Sequence, residues 1–262
     1  AKTLFNTPIY SESYIYDALG NILSTTGFDG SGAVTATYAY EGYLGSSFAN
    51  PHAVTKIQRT AQSPQLFTYD HNGNMLSDGE RTYTFSTRNR LLRVKKGEDT
   101  TTFTYDHTGA RVSLATTNTN TPALSSTTLY PNDLYNLKTD TDNTNGESQT
   151  TYTHTIHLSA GDALSATLER TESGEETTPT KTNFLHSDHL GGSSVITHNG
   201  DIIEQTDYYP YGTMRVDSTL EGVNAEQRKF TGHEFDSSTG LTFAQARYLN
   251  TEVGRFVGQD PV

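Results

Sequence analysis

Three groups of residues in this chain have the types and spacing for chemistry. His186-Ser187-Asp188-His189 places two imidazoles and a carboxylate within four residues. If they converged, they could hold a metal or run acid–base hydrolysis. Against that, Asp188 is followed three residues later by Gly191, and Asp-x-x-Gly is first of all a turn. His154 and His157 are three apart. On a strand that spacing sends them to opposite faces, which argues against shared metal ligation. Arg81, Arg88, Arg90, Arg93, Lys95 and Lys96 form the one local basic cluster. They read as solvated strand faces and edge protection, with an anionic-ligand patch as the sharper alternative. His52, beside Pro51, reads as structural. Neither a metal nor a cofactor is called for.

The elements that would position these groups are short strands joined by tight turns. Leu66-Phe67-Thr68-Tyr69-Asp70-His71-Asn72-Gly73-Asn74 is one unit. Tyr14-Ile15-Tyr16-Asp17-Ala18-Leu19-Gly20-Asn21 and Phe103-Thr104-Tyr105-Asp106-His107-Thr108-Gly109-Ala110-Arg111 repeat it, and Tyr83-Thr84-Phe85-Ser86-Thr87-Arg88-Asn89-Arg90 is a degenerate copy. Two aromatics two apart precede each turn, so both rings take one face of a strand. Asp opens the turn by accepting backbone amides ahead of it, and Gly closes it by accepting positive φ. Units of this size cannot bury a face alone and must stack. The fold expected is all-β: stacked, twisted antiparallel β-hairpins.

Composition supports order. Of 262 residues, 32% are hydrophobic, and the mean hydropathy is −0.62. Disordered chains share that low value, but they are poor in aromatics and rich in charge. Here 16 Tyr and 11 Phe stand beside only 18% charged residues, which suits a sheet built on aromatic stripes. The net charge of −12 argues against a nucleic-acid surface and against anionic membranes. No run is long enough to insert in a membrane as a helix. With no Cys, neither disulfides nor thiol chemistry contribute. The first residues lack the apolar core of a signal peptide.

Along the chain, residues 1–114 form a repeat region, which includes a turn at Phe28–Gly32 and the segment Asn50–Ile57. Residues 115–183 are rich in Thr, Asn, Asp, Glu and Ser. Thr116–Thr121, Thr139–Thr151 and Thr171–Thr182 are expected as long turns or mobile loops. Between them, Tyr152–Ala160 and residues 162–170 are expected to pair as a hairpin around Gly161-Asp162. Residues 184–262 form the third region, with a hairpin signal at Asn199-Gly200.

The Tyr-Asp-x-x-Gly pattern resembles the YD repeat of the RHS family, which includes polymorphic toxins, Tc-toxin shell components and teneurins. The signature positions are Tyr16, Asp17, Gly20, Tyr69, Asp70, Gly73, Tyr105, Asp106 and Gly109, with Asp188 and Gly191 in a His-x-Asp-His-Leu-Gly variant. Tyr208-Tyr209-Pro210-Tyr211-Gly212 is similar to a closing element of the family. Lys229-Phe230-Thr231-Gly232-His233-Glu234-Phe235-Asp236, Ala246-Arg247-Tyr248, Gly254-Arg255-Phe256-Val257 and Gln259-Asp260-Pro261 resemble the RHS-repeat-associated core. Leu249-Asn250-Thr251 departs from the usual Tyr-Asp-Pro.

The resemblance implies part of a spiral YD-repeat shell with a C-terminal plug. The implied role is to sequester a C-terminal toxin or other cargo polypeptide. The partners it implies are the remainder of the shell and the cargo, and the setting is secreted or cell-surface, of bacterial type. It also implies a self-cleaving aspartyl site in a longer precursor. Asp260 matches its first carboxylate and the second would lie beyond residue 262, while Arg247 and Arg255 would pair with a carboxylate or fix the plug. Whether the chain is an enzyme in its own right stays open. The alternative is an extracellular adhesion or carbohydrate-binding module of teneurin-like type, with a glycan or cell-surface partner.

Overall fold

A computed structural model describes residues 10–28, 33–41, 51–121, 123–144, 146–161 and 163–261. The expected turn at Phe28–Gly32, the start of the segment at Asn50 and the hairpin residue Asp162 fall wholly or partly outside them. The chain divides into two compact units, residues 1–83 and 84–262.

The first unit holds β1 (Ser11–Tyr16), β2 (Ile22–Phe28), β3 (Ala33–Ala39), β4 (Lys56–Arg59) and β5 (Gln65–Leu66), paired in that order as an antiparallel sheet. Then β6 (Thr68–Tyr69), β7 (Met75–Ser77) and β8 (Arg81–Phe85) pair in sequence, and β8 leads covalently into the second unit. Ile57, Phe67, Met75 and Tyr83 are buried among these strands.

The second unit is an antiparallel meander. It comprises β9 (Leu91–Lys96), β10 (Asp99–Tyr105), β11 (Arg111–Asn118), β12 (Leu124–Asn132), β13 (Tyr135–Asp142), β14 (Gln149–Ala160) and β15 (Ala163–Ser173). Next come the two-residue β16 (Glu176–Thr177), then β17 (Lys181–Ser187), β18 (Ser193–His198), β19 (Asp201–Tyr208) and β20 (Met214–Thr219). Each strand pairs with its chain neighbour, except that β17 returns to β15 and β16 hangs on β15. After a single 3₁₀ turn at Phe230–Gly232, β21 (Glu234–Asp236), β22 (Leu241–Ala244), β23 (Arg247–Asn250) and β24 (Arg255–Phe256) form a separate four-stranded sheet. No helix among the described residues is long and apolar enough to cross a membrane.

The Thr-rich middle is strand for much of its length, with turns only between the strands. Thr116–Asn118, Thr139–Asp142, Gln149–Thr151 and Thr171–Ser173 all lie within strands. Thr is β-branched, and its hydroxyl is content on a half-wet sheet face, so polarity alone misleads about structure here. The expected hairpin is present, with Ala160 opposite Ala163.

Cross-strand register separates the two faces of the meander. One face carries Phe103, Leu114, Thr128, Asn136, Thr153, His157, Thr167, Asn183, Leu185, Ile196 and Glu204, all buried. We call this the inner face. His154, three residues from His157, is half-buried on the opposite face, where it pairs with Tyr135. Four phenylalanine and tyrosine rings fill the contact with the C-terminal sheet. Phe103 and Phe243 both meet Tyr248, at 4.8 and 4.9 Å between ring centroids, and the hydroxyls of Tyr105 and Tyr248 are 3.1 Å apart.

Candidate functional site

The turns come first, because they aim the strands. In the Asp17 turn, the Asp17 amide donates to the Asn21 carbonyl and the Gly20 amide donates to the Asp17 carbonyl. The same two bonds recur at Asp70, Asp106 and Asp188, with Gly73, Gly109 and Gly191 in the fourth position. Each carboxylate adds amides two and four residues ahead. Asp70 takes those of Asn72 and Asn74 at 2.9 and 2.8 Å, and Asp188 those of Leu190 and Gly192 at 2.8 Å. Bonds of this kind favour the ionised form, and they hold Asp17 below the ordinary carboxylate range, chiefly through the Asn21 amide. Ser86 opens the degenerate copy, with Asn89 at positive φ in place of glycine.

Two further copies were not recognised in the sequence. The Tyr209 amide bonds the Thr213 carbonyl, and Gly212 returns to Tyr209. The Lys229 amide bonds the His233 carbonyl, and Gly232 returns to Lys229. Gly three residues on was the available signal, but the missing Asp hid it. The repeat is therefore defined by its backbone. Aspartate reinforces it, and without aspartate the first side chain can be used elsewhere.

That alternative use is visible at Lys229. Its ammonium is buried and bonds Glu204 Oε1 at 2.7 Å and Asp217 Oδ1 at 3.1 Å. The other Glu204 oxygen accepts the Glu226 amide at 2.8 Å. Burial, together with Glu204, pushes the Glu226 carboxyl up to about 7. His157 is pushed down to about 4 by burial, with Arg228 adding to the effect.

A second buried ion cluster centres on Arg111 of β11. One guanidinium nitrogen donates to both oxygens of Asp236, at 2.7 and 3.0 Å, and the other meets Glu234 at 2.7 Å. The Tyr130 hydroxyl donates to Glu234 and accepts from Arg111 at 3.1 Å. The rings of Tyr130 and Phe243 lie 4.6 and 4.1 Å from the guanidinium carbon. Burial raises the Asp236 carboxyl above its ordinary range, while Arg111 opposes the rise. The two clusters tie the segment from Glu226 to Asp236 onto the inner face. A third contact comes from the Tyr209 turn, where Thr213 donates to the Thr251 carbonyl at 3.0 Å.

The residues singled out from the sequence fall into place unevenly. Tyr69 and Tyr105 send their hydroxyls to the Val54 and Leu91 carbonyls, at 2.8 and 2.7 Å. Tyr16 is exposed instead. His52 bonds the Asn21 side chain at 2.9 Å, which ties it to the first turn. Asp188 is occupied in its turn, and His186 bonds Thr197. Arg247 pairs with Asp260 at 2.9 Å and covers the Phe256 ring at 3.8 Å; the Asp260 carboxyl is 77% exposed. Arg255 stands opposite Asn250 in β24 and is half-buried. The basic cluster is not wholly solvated. Arg81 is buried against Asp78, and Arg90 is half-buried, donating to the Gly109 carbonyl at 2.7 Å.

Repeat turns on stacked antiparallel hairpins, with a C-terminal sheet seated on the inner face, make this chain similar to RHS/YD-repeat shell proteins. Residues 2–120 match the family model described as Teneurin YD-shell. The chain is 29% identical over 253 residues to the tRNA3(Ser)-specific nuclease WapA of Bacillus spizizenii, covering 95% of this chain and 9% of that protein. It is 26% identical over 268 residues to toxin subunit YenC1 of Yersinia entomophaga, covering 96% of this chain and 26% of that one. The crystal structure of TcdB2-TccC3-Cdc42 superimposes with a TM-score of 0.65 at 19% identity, over 95% of this chain and 14% of the other. The chain thus spans about a tenth of the length of WapA.

Proposed function

We propose that this chain is the C-terminal part of an encapsulating shell that sequesters a toxin or other cargo polypeptide. The observation that carries the proposal is the seating of the segment from Glu226 to Asp236 on the inner face by two buried ion clusters. A shell that holds its contents needs its end element fixed from within, and buried, hydrogen-bonded charges supply position as well as attraction. Its partners are the rest of its own shell and the cargo, and its setting is secretion from bacteria or display at their surface. In a longer precursor, Asp260 supplies one carboxylate of a self-cleaving pair. Arg247 positions it, and a second carboxylate downstream completes the site.

The test is the intact mass of the product of the complete gene, purified without proteases. Two fragments that stay together until denatured, and one uncut chain when Asp260→Asn is made, are expected. An uncut wild-type product removes the cleavage role; a cargo domain digested by added protease in the native complex removes the encapsulation role.

A second reading, as a glycan-binding module, draws on a cavity of about 540 Å³ lined by Asp99, Thr116, Asn118, Asp140, Asp142 and Gln149. Its carboxylates, amides and hydroxyls suit a sugar's hydroxyls. Saturable binding on a glycan array, lost in Asp140→Ala, would favour it.

A further inference from the structure

Between the inner face and the segment after β20 lies a cavity of about 250 Å³ that the shell role does not use. Its buried wall includes Asn136, His157, Thr167 and Glu204, and Asn224 and Ala225 are exposed at its margin. Four lining carboxylates, Glu169, Glu204, Asp217 and Glu226, face two ammonium groups, Lys138 and Lys229. Both lysines are already engaged. Lys229 is spent on Glu204 and Asp217, and Lys138 pairs with Asp140 at 2.9 Å. The carboxylate of Glu226 accepts backbone amides of its own segment and makes no ion pair among the described residues, although the Arg228 charge acts on it.

A second, independent sign is His157. It is 6% exposed, and its Nδ1 has no hydrogen-bond partner. Its other nitrogen lies 3.0 Å from the Asn136 amide. A buried polar nitrogen left unmet is costly, so such groups ordinarily have a partner. If the Asn136 amide turns, it accepts from Nε2–H, and Nδ1 is then an acceptor awaiting a donor.

We infer that this cavity binds a small organic cation, an alkyl ammonium or guanidinium group, between the Glu226 carboxylate and the His157 imidazole. The surplus carboxylate supplies the charge, and the Asn and Thr walls supply acceptors for the remaining N–H groups. The cation comes either from a free diamine-like molecule or from a basic side chain of a polypeptide. Around Glu226 the charged groups are Glu204 of β19, Asp217 of β20, Glu169 of β15 and Arg228 and Lys229 of its own segment, with His157 of β14 neutral. Binding therefore strengthens as pH rises and Glu226 ionises.

The experiment is calorimetric titration of the whole chain at pH 8 with two probes, agmatine and an end-blocked Gly-Gly-Arg-Gly-Gly peptide. Saturable one-to-one binding is expected for at least one probe. Agmatine alone identifies a free cation as the source, while binding of the peptide identifies a polypeptide side chain. Glu226→Gln should weaken binding at least tenfold. So should Asp217→Asn, whose half-exposed position makes it safe for folding. Asp201→Asn, exposed and outside the cavity, should leave it unchanged. Failure of both probes to bind, or binding by the Glu226 and Asp217 variants as tight as that of the wild type, overturns the assignment.

Discussion

Arg111 and Asp236 are 125 residues apart in the chain, and their charged atoms meet at 2.7 Å. Each is at least nine-tenths buried, and Glu234 completes a set of two carboxylates on one guanidinium. Burying these charges is unfavourable in itself, so the pair matters most through what its loss leaves behind. Arg111→Met strands the buried Asp236 and the half-buried Glu234 and should cost about 3–5 kcal/mol. Asp236→Asn keeps the shape and leaves Glu234 on the arginine, so it should cost less than half as much. Urea unfolding at pH 7.5 measures both. A cost for Arg111→Met below about 1 kcal/mol would mean that the cluster does not seat the C-terminal segment.

The pH response of the cluster around Lys229 and Glu204 has a definite sign. Glu226 is raised from 4.5 to about 7 in the folded protein. Its contribution is full below pH 4.5 and is lost as pH rises through 7. His157 is lowered from 6.5 to about 4. Its contribution is full above pH 6.5 and is lost as pH falls through 4. Between these limits the two slopes oppose each other. Relative to wild type, Glu226→Gln should make stability climb more steeply with pH between about 4.5 and 6.5, and His157→Asn should make it fall. Each change in slope is bounded by about 1.4 kcal/mol per pH unit. Parallel curves for the two variants would show that neither group titrates as its surroundings dictate.

Gly212 closes the Tyr209 turn at φ +92°, and a Cβ there would meet the Phe230 ring at 2.5 Å. Gly174 also has positive φ, but open space surrounds its missing Cβ. Gly174→Ala should cost about 1 kcal/mol of backbone strain. Gly212→Ala adds a collision with the ring and should cost roughly 2–4 kcal/mol. Melting temperatures of the two variants compare strain with clash, and equal shifts would remove Phe230 as the constraint.

Asp70 accepts the Asn72 and Asn74 amides and the Asn74 side chain, and Asn74 is fully buried. Asp70→Ala should cost roughly 1–3 kcal/mol, as loss of a buried group's partners does. Asp70→Asn keeps an acceptor and should recover about half. Hydrogen exchange at the Asn74 amide reads the loss locally. An unchanged rate in Asp70→Ala would show that the backbone bonds alone hold the turn.

Local chemistry was legible in the linear chain. The period-two aromatics and the Asp-x-x-Gly offset announce strands and turns, because both depend on residues only a few positions apart. The opposite faces of His154 and His157 follow from the same geometry. The Thr-rich stretches are loop only in part, because β-branching and polarity point in different directions, and packing against neighbouring strands decides between them. The turns at Tyr209 and Lys229 were hidden because their defining bonds are main-chain bonds, which any side chain can accompany. No local rule links Arg111 to Asp236, or Lys229 to Glu204. Those pairs exist because an antiparallel meander presents alternate residues to one face, and a later segment closes over it. Local sequence was enough for the Tyr-Asp strands, the Asp-opened turns and their repetition. Only the tertiary structure decided which buried charges meet, since a charge is tolerated inside a sheet only where distant chain brings its partner.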